Sequence, residues 1–460
     1  MLSTFKRDFK LVFKEMSLLD KLLPILIILA MIIGILLSVY VPSSRNAFNN
    51  TDQNKLTNVS IPLCIGLIIM MVPPLCKIEY ENIKNFNKNK IRNSIYLKQI
   101  LISLVINWII GPFMMFGLAW ATLFNEHEYR TGIIMIGMAR CIAMVLIWNQ
   151  LALGSNDLCA LLVIINSLLQ VILYAPYQIL FCYVITNEPI DYINNISMGH
   201  LFVLVLKNIG IFLGIPLFFG VAIRFLFIGT VGIEKYNKKI LPFISPWALI
   251  GLLYVIIVIF ISKGDEFVHE LRESLKCLIP LALYFLIMWF GTFFFLRYYS
   301  NYINFRNLIK LRKNSKEQNN VVEQTTTEET NNTDDTITEE SKLLYKCGCE
   351  EKLNEKQKIK IKSLKCNATY SLSVTQAFTS SSNNFELSLA MAIALYGEGS
   401  KQAIAAVYGP LLEVPVLLLL TFVARYFRIA FIWNDVNIER DNNDDNDVNN
   451  SEEEDEVSER

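Results

Sequence analysis

Residues 137–154, GMARCIAMVLIWNQLALG, set Arg140 and Cys141 side by side in one of the most apolar parts of the chain. A charged side chain at the centre of a bilayer costs roughly 2.5–3.5 kcal/mol on insertion scales, so one that persists there faces a cavity or a partner and marks transport or chemistry. The surroundings decide whether the stretch is intramembrane. The 460-residue chain is 53% hydrophobic and 18% charged, below the roughly 25% charged usage of soluble domains. Apolar runs near or above ~18 residues, the length that crosses a ~30 Å hydrocarbon core, are read at 22–41, 59–76, 99–124, 131–154, 157–185, 201–229, 243–262, 275–298, 370–397 and 405–430. The predicted class is an all-α polytopic membrane protein with ten transmembrane helices, the opening stretch lying in the fourth.

The first run follows Lys6, Arg7, Lys10, Lys14 and Lys21. It is long enough to span and lacks a small-residue cleavage site, so it reads as a retained helix rather than a signal peptide. Lys and Arg concentrate on the cytoplasmic side of a membrane protein. They crowd the N-terminus, the segment after helix two (Lys77, Lys84, Lys88, Lys90, Arg92, Lys98) and the segment after helix six (Lys235, Lys238, Lys239), whereas 186–200, TNEPIDYINNISMGH, has neither. Both termini are therefore predicted cytoplasmic.

The organisation expected is helices one to six over 1–229, helices seven and eight over 230–298, a disordered cytoplasmic insertion over 299–367, helices nine and ten over 368–430, and an acidic disordered tail over 431–460. The insertion contains KEQNNVVEQTTTEETNNTDDTITEE, with too little apolar surface to offset the entropy of ordering. The formal net charge of zero combines a basic collar with that acidic tail, and no nucleic-acid partner is expected. Nine cysteines are scattered through spans and cytoplasmic segments, where thiols stay reduced. KCGCEEK, with Cys347 and Cys349, could hold a soft ion with Cys366 as third thiolate; accidental loop cysteines are the simpler reading. No cofactor or resident metal is expected, and no HExxH, P-loop, GxSxG or GxGxxG occurs in a fitting context. His127, His200 and His269 fall in predicted external loops.

Sliding the chain on itself by 243 positions lays LGSNDLCALLVIINSLLQV, 153–171, on YGEGSKQAIAAVYGPLLEV, 396–414, matching Gly154 with Gly397, Ala160 with Ala403 and LLQV with LLEV. Helix four then corresponds to helix nine and five to ten. An offset of five helices is odd, so the second copy crosses in the opposite sense, the pattern of inverted-repeat transporters whose site lies near the midplane on interrupted helices. The same register superimposes ARCIAMVLIWNQ on SNNFELSLAMAI and Gln170 on Glu413.

In TQAFTSSSNNFELSLAMAIALYG, 375–397, four consecutive hydroxyl residues and two Asn precede Glu386. Such side chains compete for backbone bonds and favour helix ends over interiors, which predicts a break near 379–384. Helical spacing places Cys141 and Trp148 on one stripe, Asn166 and Gln170 on another, and Asn383 on a face with Glu386. Glu413 lies between Pro410 and Pro415, whose missing donors loosen a helix, and a carboxylate there is a candidate proton carrier. Plainer readings stand beside these: a structural Arg140–Glu413 ion pair, Trp148 as packing, Asn166 and Gln170 as interhelical hydrogen bonds, and Cys141 as a small hydrophobe.

MARCIAMVLIWNQLA, VIINSLLQVILYAPY, SSNNFELSLAMAIALYG and GPLLEVPVLLLL resemble the motifs of the arsenite efflux permeases, the arsenical-resistance family within the bile acid/arsenite/riboflavin transporter superfamily. The resemblance runs from the first span to the last. It implies two inverted five-helix repeats, with helices four and nine broken and crossing in a core domain that moves against a panel domain. It also implies export of trivalent arsenic, sometimes antimony, in exchange for protons, with the family's thiol at Cys141, its arginine at Arg140, its last-helix carboxylate at Glu413, and Asn384 and Glu386 in the NNFEL element. The insertion at 299–367 and the acidic tail depart from the compact family pattern.

Arsenite at neutral pH is a small, mostly uncharged trihydroxide. Asn166, Gln170, Asn383, Asn384 and Ser380–Ser382 supply hydrogen-bonding partners for it, and Cys141 a soft contact. The expected partners are thus arsenite, protons and the lipid bilayer, in the plasma membrane rather than a vacuolar one. Two rivals remain: a sodium-coupled organic anion carrier of the same fold, in which Arg140 meets a carboxylate and Glu386 helps bind sodium, and a receptor that signals through its insertion and tail. An enzyme is disfavoured because no nucleophile–base or metal-ligand set is visible.

Overall fold

The computed structural model describes residues 18–41, 55–56, 59–81, 94–142, 144–186, 198–323, 368–397, 399–431 and 433. The helices are α1 (Leu18–Tyr40), α2 (Ile61–Cys76), α3 (Ser94–Val105), α4 (Gly111–Thr122), α5 (His127–Met138), α6 (Met144–Leu151), α7 (Asn156–Ile179), α8 (Met198–Ile209), α9 (Ile215–Val231), α10 (Ile233–Lys235), α11 (Leu241–Ile244), α12 (Pro246–His269), α13 (Leu271–Leu275), α14 (Leu278–Glu323), α15 (Tyr370–Ser381), α16 (Phe385–Tyr396) and α17 (Lys401–Ala430). A two-stranded ribbon, β1 (Lys55–Leu56) and β2 (Val59–Ser60), precedes α2. π turns at Ile106–Ile110, Leu180–Val184 and Gly210–Gly214 extend α3 into α4, lengthen α7 and join α8 to α9.

Among the described residues, seven continuous segments are long and apolar enough to cross a membrane: Lys21–Tyr40, Leu97–Thr122, Asn156–Val184, Phe202–Val231, Ile233–Ser262, Leu271–Ser300 and Lys401–Ala430. They coincide with seven of the runs read from sequence. The remaining three differ in form: 59–76 is the shorter α2, while 131–154 and 370–397 are each split into two short helices. Outward side chains such as Ile25, Leu101 and Phe218 are more than half exposed, the expected face toward lipid for a chain of this composition. The fold is that of a multi-pass membrane protein.

The described chain divides into two compact units, 1–293 with 374–427 and 294–373 with 428–460. In the first, α12 packs along α1 and α2, and α9 packs on α2. Close approach depends on small residues: a Cβ added at Gly251 would lie 2.8 Å from the Met70 backbone nitrogen. Just past α2 lies an ion pair between a buried arginine and a half-buried glutamate. Arg224 of α9 donates to both Glu81 carboxylate oxygens and, at 3.0 Å, to the Cys76 carbonyl, which also accepts the Tyr236 hydroxyl. In the second unit, Tyr370 and Trp433 stack edge-on at 5.3 Å, and the Arg297 guanidinium lies 4.5 Å from the Trp433 ring centroid.

α14 continues past 298 to Glu323, so the stretch read as an insertion begins as helix. Its remainder, with Cys347, Cys349 and Cys366, and the tail beyond Trp433 lie outside the described residues.

Candidate functional site

Two helix interruptions face one another. α5 ends at Met138 and α6 begins at Met144; α15 ends at Ser381 and α16 begins at Phe385. Between them Arg140 and Asn383 form an antiparallel β-bridge. The Cys141 amide donates to the Ser382 carbonyl at 3.4 Å, and the Asn384 amide to the Ala139 carbonyl at 3.2 Å. Unwound backbone at membrane depth survives only where protein or a wet cavity takes its hydrogen bonds. Here each break supplies the other. The bridged residues are 243 positions apart, the offset of the internal similarity. Under that offset Ala139 maps onto Ser382 and Cys141 onto Asn384, so the two hydrogen bonds exchange places.

The local sequence accounts for the second break. Ser380 and Ser381 bond back to the Ala377 carbonyl, the competition that ends helices, and the Asn384 side chain caps α16 by accepting the Leu387 amide at 3.1 Å. Two shared faces expected from spacing are corrected by this. Asn383 lies before α16, so it shares no helical face with Glu386, and Cys141 lies before α6, so it shares none with Trp148. Helical periodicity does not run through unwound backbone.

Arg140 is fully buried. Its amide donates to Gln170 Oε1 at 2.6 Å, one guanidinium nitrogen donates to the Tyr284 hydroxyl at 2.9 Å and the other to the Gly137 carbonyl, while Nε bonds no group. Among the described residues no carboxylate is within ion-pair range of Arg140, so an Arg140–Glu413 pair is not what the structure contains. Glu413, also buried, instead accepts the Ser382 hydroxyl at 2.5 Å. The Ser382 carbonyl takes the Cys141 amide, and the Cys141 sulfur accepts the Val145 amide at 3.4 Å. Cys141 and Glu413 thus both bond Ser382, the first through its amide to the carbonyl and the second through its carboxylate to the hydroxyl. α17, which carries Glu413, stays helical through Pro410 and Pro415.

Asn166 on α7 accepts Trp108 Nε1 at 3.0 Å through its Oδ1, and Trp148 on α6 is fully buried with its indole N–H unbonded. Asn383 is buried with both side-chain polar atoms unbonded; the amide nitrogens of Gln170 and Asn384 are likewise open. Glu386, in the first turn of α16, is half-buried. Asn166 and Gln170 both lie on α7, as their spacing required.

Sequence reasoning missed Tyr284. It sits in LALYFLIMWF without a polar neighbour to single it out, yet its hydroxyl takes the Arg140 donor and donates to the Ser380 carbonyl at 3.2 Å. It missed a second polar knot as well, where Thr375 donates to Asn149 Oδ1 at 2.7 Å and accepts the Ser155 amide at 2.8 Å. Among the described residues no group of three His, Cys, Asp or Glu side chains could hold a metal ion. Cys64, Cys76, Cys141, Cys159, Cys182 and Cys277 are all buried.

The site is a cluster of amides, hydroxyls, one thiol and one carboxylate around paired helix breaks, with no nucleophile–base pair. Such a set can bind and release a small polar solute. Comparison with known proteins points the same way. Residues 64–270 match the model of the Sodium Bile acid symporter family. The chain is 31% identical over 419 residues to the Arsenical-resistance protein Acr3 of Corynebacterium glutamicum, covering 91% of this chain and 90% of that protein. It is 25% identical over 429 residues to an uncharacterized transporter of Synechocystis sp., 89% of each chain. With the Arsenical-resistance protein Acr3 of Alkaliphilus metalliredigens it shares 23% identity over 430 residues, 91% of this chain and 95% of the other. Identity at this level along nearly the whole length, on a frame of apolar helices, makes the chain a member of the arsenical-resistance family of membrane transporters, related to the sodium/bile acid symporters.

Proposed function

We propose that the protein exports arsenite, and antimonite as a second substrate, from the cytosol in exchange for protons across the plasma membrane, with both termini cytoplasmic. The reading takes ten spans in two inverted repeats, helices four and nine being the α5–α6 and α15–α16 pairs crossing at their breaks. The exchange of the two bridge hydrogen bonds under the 243-residue offset supports that symmetry.

The observation that carries the chemistry is the convergence of Cys141 and Glu413 on Ser382, whose carbonyl takes the Cys141 amide and whose hydroxyl donates to Glu413. An ionised carboxylate is acceptor-only, and it holds the serine hydroxyl hydrogen; once protonated it becomes a donor itself. Proton arrival at Glu413 therefore changes what the Ser382 hydroxyl offers to a trihydroxide bound beside Cys141. A single thiol gives arsenic a soft contact without the slow release of three-thiolate capture. The unbonded amide groups of Asn383, Asn384 and Gln170 supply hydrogen bonds to the arsenite hydroxyls, and the unbonded indole N–H of Trp148 is a further donor. Binding solute and proton alternately is what exchange requires. Arsenite efflux from a host lacking its own exporter tests this: expression should lower cell-retained arsenic and raise tolerance, and unchanged retention contradicts it.

A second reading is favoured by the match to sodium/bile acid symporters at 64–270: sodium-driven transport of an organic anion, with Arg140 receiving a carboxylate. It ranks below the first because two of the three guanidinium nitrogens of Arg140 are already held by Tyr284 and Gly137. Replacing sodium with choline separates the two, since only the second reading loses transport.

A further inference from the structure

Two buried carboxamides outside the cluster bond nothing. Gln178 on α7 and Asn208 on α8 are each fully buried, and all four of their side-chain polar atoms lack a hydrogen-bond partner. A buried amide left unpaired costs stability, so it persists where it serves a bound group or where function outweighs the loss. Interhelical hydrogen bonding, the usual reason for an amide in a membrane helix, does not apply to either.

Their placement is shared. Gln178 comes two residues before the π turn Leu180–Val184, and Asn208 two residues before the π turn Gly210–Gly214. π turns cluster at functional sites because they interrupt the regular backbone ladder. α7 and α8 pack against one another, and α8 also packs on α16, the helix that starts at the bridged break. Gln178 further extends a ridge of α7. Asn166, Gln170, Tyr174 and Gln178 follow at steps of four, the spacing of a helix ridge, and all four are buried. Asn166 takes Trp108, and the next two reach the first interrupted helix: Gln170 takes the Arg140 amide, and Tyr174 donates to the Met135 carbonyl at 3.4 Å. Gln178 is the last of the row, roughly 18 Å along the helix from Asn166 at 1.5 Å per residue, toward the end of α7 followed by the segment free of Lys and Arg.

We propose that Gln178 and Asn208 form a second hydrogen-bonding station for the transported solute, on the exit side of the helix breaks, which receives a small neutral polyhydroxy species. The proposal rests on the arsenite-export reading. A trihydroxide leaving the cluster loses its amide and hydroxyl partners, and two open carboxamides, each with a donor and an acceptor, replace them without adding a charge that would hold it.

The test is the concentration dependence of arsenite uptake into everted vesicles for Gln178→Met and Asn208→Leu, which keep approximate volume and remove polarity, alongside thermal unfolding of each purified variant. Loss of one neutral hydrogen bond corresponds to an apparent KM about three- to tenfold higher, and the unfolding midpoint should stay level or rise because an unpaired polar group has been removed. Asn208→Ser, smaller and still polar, tolerates folding constraints and should raise the KM less than Asn208→Leu. A wild-type KM in the Met and Leu variants overturns the station while leaving arsenite export standing. A raised KM accompanied by a lowered midpoint also overturns it, by showing that the amides hold the helices together. Absence of arsenite uptake by the wild-type chain overturns the export reading and the station with it.

Discussion

Arg140 and Asn383 are joined backbone to backbone across two helix breaks, and they occupy equivalent positions of the internal similarity. A bridge between equivalent positions ties the two breaks so that neither can rewind alone: lengthening α6 backward or α15 forward would remove the hydrogen bonds of both. Held this way, Cys141 and Ser382 stay in register with Glu413 on α17. On the proposed reading, transport depends on these contacts at the bridge.

The first prediction concerns the thiol. Cys141→Ala should reduce arsenite export at least tenfold while the protein still reaches the membrane, because a soft contact is lost and no charge is left unpaired. Cys159→Ala and Cys277→Ala should have mild effects, since their buried thiols lie outside the bridge. Arsenic retention measured in cells expressing equal amounts of each variant checks this, and normal export by Cys141→Ala would return the residue to packing.

A second follows from the space beside Arg140. A Cβ at Gly111 would come within 2.8 Å of an Arg140 guanidinium nitrogen, and that nitrogen is fixed by Tyr284. Gly111→Ala should therefore displace the guanidinium and lower export severalfold. Tyr284→Phe removes the acceptor without adding bulk, and leaving a charged donor unpaired costs about 1–3 kcal/mol. Purified Tyr284→Phe should unfold at a lower temperature than wild type. An unchanged midpoint would mean that the guanidinium finds another partner.

Acid stability provides a third. Burial pushes the Glu81 carboxyl up, but its hydrogen bonds to the Arg224 guanidinium prevail and hold it below the usual carboxylate range. A depressed folded-state value means that the stabilisation is full above the unfolded value of about 4.3 and is lost as pH falls through the folded value. The unfolding midpoint should drop between about pH 5 and pH 3. In Glu81→Gln that part of the acid dependence should be absent, and the protein should be about 3 kcal/mol less stable at neutral pH because Arg224 remains buried without its counter-charge. Thermal melts across the pH range distinguish the two profiles.

The class of fold was legible because hydrocarbon thickness imposes run length, and seven runs reappear as continuous helices. The break near 379–384 was legible for a related reason: consecutive hydroxyl and amide residues announce a competition for the backbone, and the structure breaks at 382–384. What spacing could not give was the geometry inside the breaks. Pairing Asn383 with Glu386, or Cys141 with Trp148, assumed helical backbone where none exists. Tyr284 was invisible for another reason. Its partner is a guanidinium 144 positions away in sequence, and a tyrosine among aromatics carries no local sign of a distant ligand. Gln178 and Asn208 lack any charge or motif, and only burial without partners distinguishes them.

The central claim, proton-coupled arsenite export through the bridged breaks, is tested most directly at Glu413. Glu413→Gln keeps the shape, leaves an oxygen to accept the Ser382 hydroxyl, and removes the ability to gain and lose a proton. The measurement is arsenite uptake into everted vesicles under an imposed pH gradient, compared with wild type at matched protein content. The account predicts gradient-driven uptake by wild type and none above background by Glu413→Gln. Undiminished uptake by the variant would contradict it, placing the exchanged proton on another group, with Glu386 the first to examine.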